Sequence, residues 1–191
     1  MVIRKKNRFR FYALKLCGIM FLIFLVQMLF SGFTNLFLLN DLAFTQVWRF
    51  ISSIFLHGGF AHLLYNLFAL GLFGSILERL IGSRRFLIVF FVTGILANIV
   101  SVNFYDSSLG ASGAIFGIIG ALVIVRPLMA VWAFGLPMPL FLAGILWATG
   151  DLIGLFVPSN VANLAHLSGM FFGILFGFAY RRRILIIRTI P

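Results

Sequence analysis

Ser112, within Gly110-Ala111-Ser112-Gly113, opens an otherwise apolar stretch, and a histidine stands at its own expected height in a membrane. Ser112 lies 14 residues before Arg126, which closes its stretch, and His166 lies 15 residues before Arg181, which closes the last one. If both stretches are helical, both residues stand roughly 21–23 Å above the same face. Counting back from Glu78-Arg79 on another stretch puts Asn66 about 18 Å and His62 about 24 Å up. A serine hydroxyl is a poor nucleophile until a base takes its proton, and that base must approach within about 3 Å. Hydrolysis of an amide also builds negative charge on the carbonyl oxygen, which needs donors aimed at it. The Asn66 amide, the His62 ring and the Ser112 backbone N–H could supply them, with Gly110 beside them. The alternative is that His62 and Asn66, at i and i+4 on one helical face, bond each other or a loop. His57 lies on a different face, nearer the surface, and is expected to make a structural hydrogen bond to the outer loop. A nucleophile, a base and two polar donors at one depth suggest a water-filled hydrolytic site.

The elements that carry these residues are membrane helices. Of 191 residues, 62% are apolar and only 10% charged, which excludes a soluble globule. Apolar stretches of spanning length recur along the chain, so one polytopic membrane domain over 1–191 is expected, with short basic cytoplasmic tails at about 1–12 and 181–191. The net charge of +11 does not indicate nucleic acid, because the basic residues cluster at helix ends and form no surface stripe. Cys17 cannot form an internal disulfide and reads as filler. No Cys/His cluster has metal-ligand spacing, and no cofactor is implied. The basic run Arg4, Lys5, Lys6, Arg8, Arg10 before an apolar stretch is similar to a signal peptide, but no small-x-small cleavage site follows. An uncleaved first helix is the better reading.

Spans are expected at about 13–33, 57–77, 86–103, 112–126, 138–157 and 163–180. With the N-terminus inside, 14 of the 15 Lys and Arg residues are cytoplasmic and only Arg49 is outside. The opposite topology reverses that ratio, so both termini are placed in the cytoplasm. Residues 34–56, with Trp48 and Arg49, are too apolar for a solvated loop and too polar to span. They are expected to form an interfacial outer segment between helices 1 and 2. Three prolines between Arg126 and Pro139 argue against continuous helix there.

The fourth helix, Ser112 to Val125, is only about 21 Å long against a hydrocarbon core near 30 Å. It should begin roughly 9 Å below the outer surface, where irregular backbone survives only against protein or a wet cavity. Gly113, Gly117 and Ala121 form a small-residue stripe on this helix, and Ala165, Gly169, Gly173 and Gly177 form another on the sixth. Small residues at every fourth position let membrane helices pack closely. Ser112 and His166 each stand beside the outer end of a stripe, where the approach should be closest.

With these residues set out, the chain resembles the rhomboid intramembrane serine proteases of the minimal six-helix prokaryotic type. The resemblance rests on Trp48-Arg49, His57, His62-x-x-x-Asn66, Glu78-Arg79, Gly110-Ala111-Ser112-Gly113 and Ala165-His166-x-x-Gly169-x-x-x-Gly173. It covers nearly all the chain from residue 48 onward; the GxSG element alone is weak. It implies an all-α, six-transmembrane-helix bundle with Ser112 as nucleophile and His166 as general base, a dyad with no acid. His62 and Asn66 match oxyanion-stabilising positions. The implied partners are the lipid bilayer and transmembrane protein substrates, cleaved near the outer face of the cell membrane. Gly59, Phe60 and Ala61 depart from the bulkier or polar residues sometimes found before His62, without touching this chemistry.

Rival readings are weaker. An aspartyl protease needs two carboxylates sharing a proton at one depth, whereas Asp106 falls in a polar loop and Asp151 within the fifth helix. Asp151 is open to bonding a neighbouring helix or hydrating the cavity, with help to His166 the lesser alternative. HExxH is absent. A non-catalytic helix-binding pseudoprotease or small transporter is the remaining alternative, but nothing polar continues inward below Asn66, and a pore should not end blind. Substrate identity and oligomeric state are not written in the sequence.

Overall fold

In the computed structural model, residues 9–157 and 161–189 are described. The run Arg4 to Arg8 and the side chains beyond Arg181 lie outside them. Six helices of ten residues or more carry the architecture: α1 (Tyr12–Leu29), α2 (Phe60–Ile81), α3 (Ser83–Ser101), α4 (Ser112–Val125), α5 (Leu140–Gly154) and α6 (Asn163–Thr189). Helices α1, α2, α3 and the Asn163–Arg181 part of α6 are long and apolar enough to cross a membrane, whereas α4 and α5 are shorter. Their lipid-type exteriors are plain on α5, where Phe141, Leu142, Ile145, Leu146, Leu152 and Ile153 are exposed. Apolar side chains on the outside are what hydrocarbon solvent selects.

Helix α4 forms the centre. From Gly113 to Leu122 every residue except Phe116 is buried. Gly113 abuts Ala97 of α3, and Gly94 of α3 abuts Ala114; added Cβ atoms at these glycines would meet those methyls at 2.7 and 3.0 Å. The two glycine stripes face each other: a Cβ on Gly169 would overlap the Gly113 carbonyl, and one on Gly173 the Gly117 carbonyl. Such backbone-to-backbone approach requires residues without side chains. Thr93 of α3 closes the other side of Gly117, its hydroxyl satisfied by the Val89 carbonyl at 2.7 Å.

The opposite end from Ser112 is tied together by Glu78, which is fully buried. Its carboxylate accepts the Arg10, Tyr12 and Ala13 backbone N–H groups at 3.2, 3.1 and 3.0 Å, and the Ser83 hydroxyl. It thereby caps the start of α1 from another helix, where N–H groups lack partners and negative charge is favoured. Gly82, at φ 88°, turns the chain between α2 and α3. Within α2, one π-helical turn at Leu70–Gly74 aims Leu70 and Phe73 inward.

Between α1 and α2 the chain folds around Arg49, only 3% exposed. Its guanidinium donates to Gln46 Oε1 at 2.7 Å and to the Asn35 and Leu38 carbonyls at 3.0 and 2.7 Å. The segment is therefore a built unit of short helical turns, with Trp48 half-exposed. Between α4 and α5 lies a feature that the prolines alone do not announce: β1 (Ala130–Ala133) pairs antiparallel with β2 (Leu136–Pro139). Phe134 and Gly135 make the two-residue turn with φ of 54° and 77°, the positive-φ pair that suits strand twist.

Candidate functional site

Ser112 is the first residue of α4, and the loop that delivers it is pinned on all sides. Leu39 and Ser108 exchange backbone hydrogen bonds at 3.0 and 2.9 Å, and the Gly110 N–H donates to the Ser53 carbonyl at 2.9 Å. The Ser53 hydroxyl is in turn bonded to Asn98 of α3. This is irregular backbone whose polar groups are met by protein, as apolar surroundings require. Gly110 has φ +120°, and a Cβ there would stand 2.7–2.8 Å from the His62 ring. Both facts demand glycine at this position.

A cavity of about 890 Å³ opens beside Ser112, and its walls also carry His62, Asn66, Tyr105, Ser107 and His166. The residues singled out by depth counting thus share one chamber. His62 Nδ1 accepts the Gly58 N–H at 3.4 Å, so a neutral His62 carries its proton on Nε2 and can donate. The Asn66 side chain donates to the His62 carbonyl, one turn back, at 2.8 Å. This uses one of its two amide protons, and no ring–amide bond joins the pair. The His57 backbone is bonded by the Gln27 side chain of α1, and its ring lies beside the Phe55 backbone of the outer segment. The ring packs edge-on against His62 at 5.2 Å.

His166 occupies the first turns of α6, where the Leu164 N–H is met by the Tyr105 hydroxyl at 3.1 Å. Two contacts fix its ring. Phe116, one turn into α4 from Ser112, stacks on it with centroids 4.3 Å apart and planes 5° from parallel. Asp151 of α5 lies with Oδ1 2.9 Å from His166 Nδ1. Spacing does not bring out either contact: Phe116 looks like any apolar core residue, and Asp151, for which help to His166 is the lesser sequence reading, stands on a different helix. Among the described residues no hydrogen bond joins the Ser112 hydroxyl to His166. Catalytic pairs are commonly long without substrate and tighten in the reacting complex.

A second cavity of about 570 Å³ runs from Ser112 and Asn66 along α2, α4 and β1, with Phe68, Leu72, Phe73 and Trp147 among its walls. It is more apolar than the first. Together they give a hydroxyl, an oriented imidazole and hydrogen-bond donors at the end of an apolar groove. That is the equipment of acyl transfer to water within a helical membrane bundle.

A multi-pass membrane protein with this arrangement has relatives. The Rhomboid domain family matches residues 44–183, and the chain belongs to that family. It is 37% identical over 138 residues to YdcA of Bacillus subtilis, which carries a rhomboid protease name, covering 69% of this chain and 66% of YdcA. It is 34% identical to RHOMBOID-like protein 7 of Arabidopsis thaliana, covering 70% of this chain and 42% of that protein. With rhomboid protease GlpG of Yersinia pseudotuberculosis the identity is 27%, over 73% of this chain and 50% of GlpG. The chain therefore spans between two fifths and just under two thirds of these three relatives.

Proposed function

We propose that this chain is an intramembrane serine endopeptidase that cleaves transmembrane segments of other membrane proteins. Ser112 is the nucleophile and His166 the general base. His62 and Asn66 stabilise the oxyanion, and Gly110, its N–H held by the Ser53 carbonyl, shapes the loop against which the substrate is bound. The observation that carries this reading is the shared cavity: Ser112 and His166 line it from α4 and α6, two helices in backbone contact through Gly113, Gly117, Gly169 and Gly173. All six helices cross the cell membrane as a single domain over 1–191, and both termini are cytoplasmic by the distribution of basic residues. The segment around Arg49 and Trp48 lies at the outer interface.

In the reaction, His166 takes the Ser112 proton as Oγ bonds the scissile carbonyl carbon. Donors at His62 and the Ser112 backbone meet the resulting oxyanion. The imidazolium returns the proton to the leaving amine as the C–N bond breaks, and water then hydrolyses the ester by the same proton route. A membrane helix buries its peptide bonds in its own hydrogen bonds, so the substrate must unwind locally before attack. The apolar cavity along α2, α4 and β1 suits such a segment.

The test is cleavage of a single-span substrate by purified protein in liposomes. Wild type is expected to cut and Ser112→Ala to lose cutting entirely; full cleavage by Ser112→Ala would remove the assignment.

A further inference from the structure

Asp151 is 8% exposed and sits near the end of α5, in an otherwise apolar helix. A carboxylate taken out of water is costly unless it is paired. Its one polar partner among the described residues is His166 Nδ1, at 2.9 Å, and its second oxygen is buried without a partner there. A helix-to-helix tie alone could be made by a neutral side chain at far lower desolvation cost. The carboxylate is spent on His166, which lines the cavity with Ser112 and is clamped flat by Phe116.

We propose, building on the protease reading above, that Asp151 is a positioning residue for His166. Its carboxylate accepts the Nδ1 proton, so the Nε2 lone pair is the one available to the Ser112 hydroxyl. When Nε2 takes the Ser112 proton, the imidazolium forms beside a fixed negative charge and is stabilised by it. Asp151 itself gains no proton. The proton stays on imidazole until the leaving amine takes it. The functional unit is then Ser112, His166 and Asp151, contributed by α4, α6 and α5. The Phe116 stack fixes the plane of the ring, and Asp151 fixes which nitrogen carries hydrogen.

The experiment combines kinetics with the tautomer of His166. Protein labelled with ¹⁵N-histidine has three imidazoles, and His166→Ala assigns the third by loss of its signals. At a pH where the ring is neutral, wild-type His166 should carry its proton on Nδ1, and Asp151→Asn should shift it toward Nε2. In liposomes Asp151→Asn should lower kcat at least fivefold with KM changed less than about twofold, the pattern of an interaction made in the transition state; the tautomer separates this from looser packing. A wild-type Nε2–H tautomer, or a fall in kcat of less than fivefold, overturns the proposal. If Ser112→Ala cleaves like wild type, the protease reading falls instead, and the tautomer of the wild-type protein still decides whether Asp151 orients His166.

Discussion

The carbonyl oxygen of Gly117 occupies the space that a Cβ on Gly173 would need. The separation of α4 from α6, and hence of Ser112 from His166, is set by the absence of side chains there. Gly173→Leu is expected to force the helices apart, lowering stability by about 2 kcal/mol or more and cleavage by at least tenfold. Gly18 in α1 has open space around it. Gly18→Ala should therefore leave both within about 1 kcal/mol of wild type. Thermal unfolding in detergent and initial cleavage rates read the two variants side by side.

Gly110→Ala should damage catalysis more than folding. The backbone there is at φ +120° and the His62 ring fills the place of a Cβ. The added methyl must push His62 aside, so kcat is expected to fall about a hundredfold, in line with loss of one oxyanion donor. His62→Ala should give a similar loss. A Gly110→Ala protein with wild-type kcat would detach His62 from the chemistry.

Phe116→Ala removes the face on which His166 lies. Stacked aromatic pairs contribute about 0.5–1.5 kcal/mol beyond simple burial, so kcat should drop roughly three- to tenfold through looser placement of the ring. Phe116→Tyr keeps the stack and should stay within about twofold of wild type. Steady-state kinetics of the two variants checks the order.

Glu78 lies at the other end of the molecule and should act on stability alone. Glu78→Gln replaces a carboxylate that accepts three backbone N–H groups with an amide that carries donors of its own. A loss of about 2 kcal/mol is expected, seen as a lower unfolding midpoint. The cleavage rate per folded molecule should be unchanged.

Much of this arrangement is legible in the sequence because helical rise and small-residue spacing are local rules. Counting from Arg126 and Arg181 brings Ser112 and His166 to one depth, and the four-residue glycine period predicts which faces of α4 and α6 meet. The start of α4 follows from an apolar run that opens at Ser112. What is not legible depends on paths through space. Asp151 and His166 are joined by a connection whose course no periodicity encodes, so their 2.9 Å contact is visible only in three dimensions. The π-helical turn at Leu70–Gly74 lacks a proline to announce it. The hairpin at Phe134-Gly135 turns through a positive-φ phenylalanine where asparagine or aspartate would have signalled it. Arg49 looked like a lone outward charge, because carbonyl partners leave no mark in composition.

Ser112 as a nucleophile activated by His166 is the feature from which the rest of the chemistry follows. Mass spectrometry after exposure to a serine-reactive phosphonate tests it most directly. A single adduct is expected on the peptide containing Ser112 in wild type, none in Ser112→Ala, and labelling slowed at least about a hundredfold in His166→Ala. An adduct on a different residue, or equal labelling rates in wild type and His166→Ala, would contradict it.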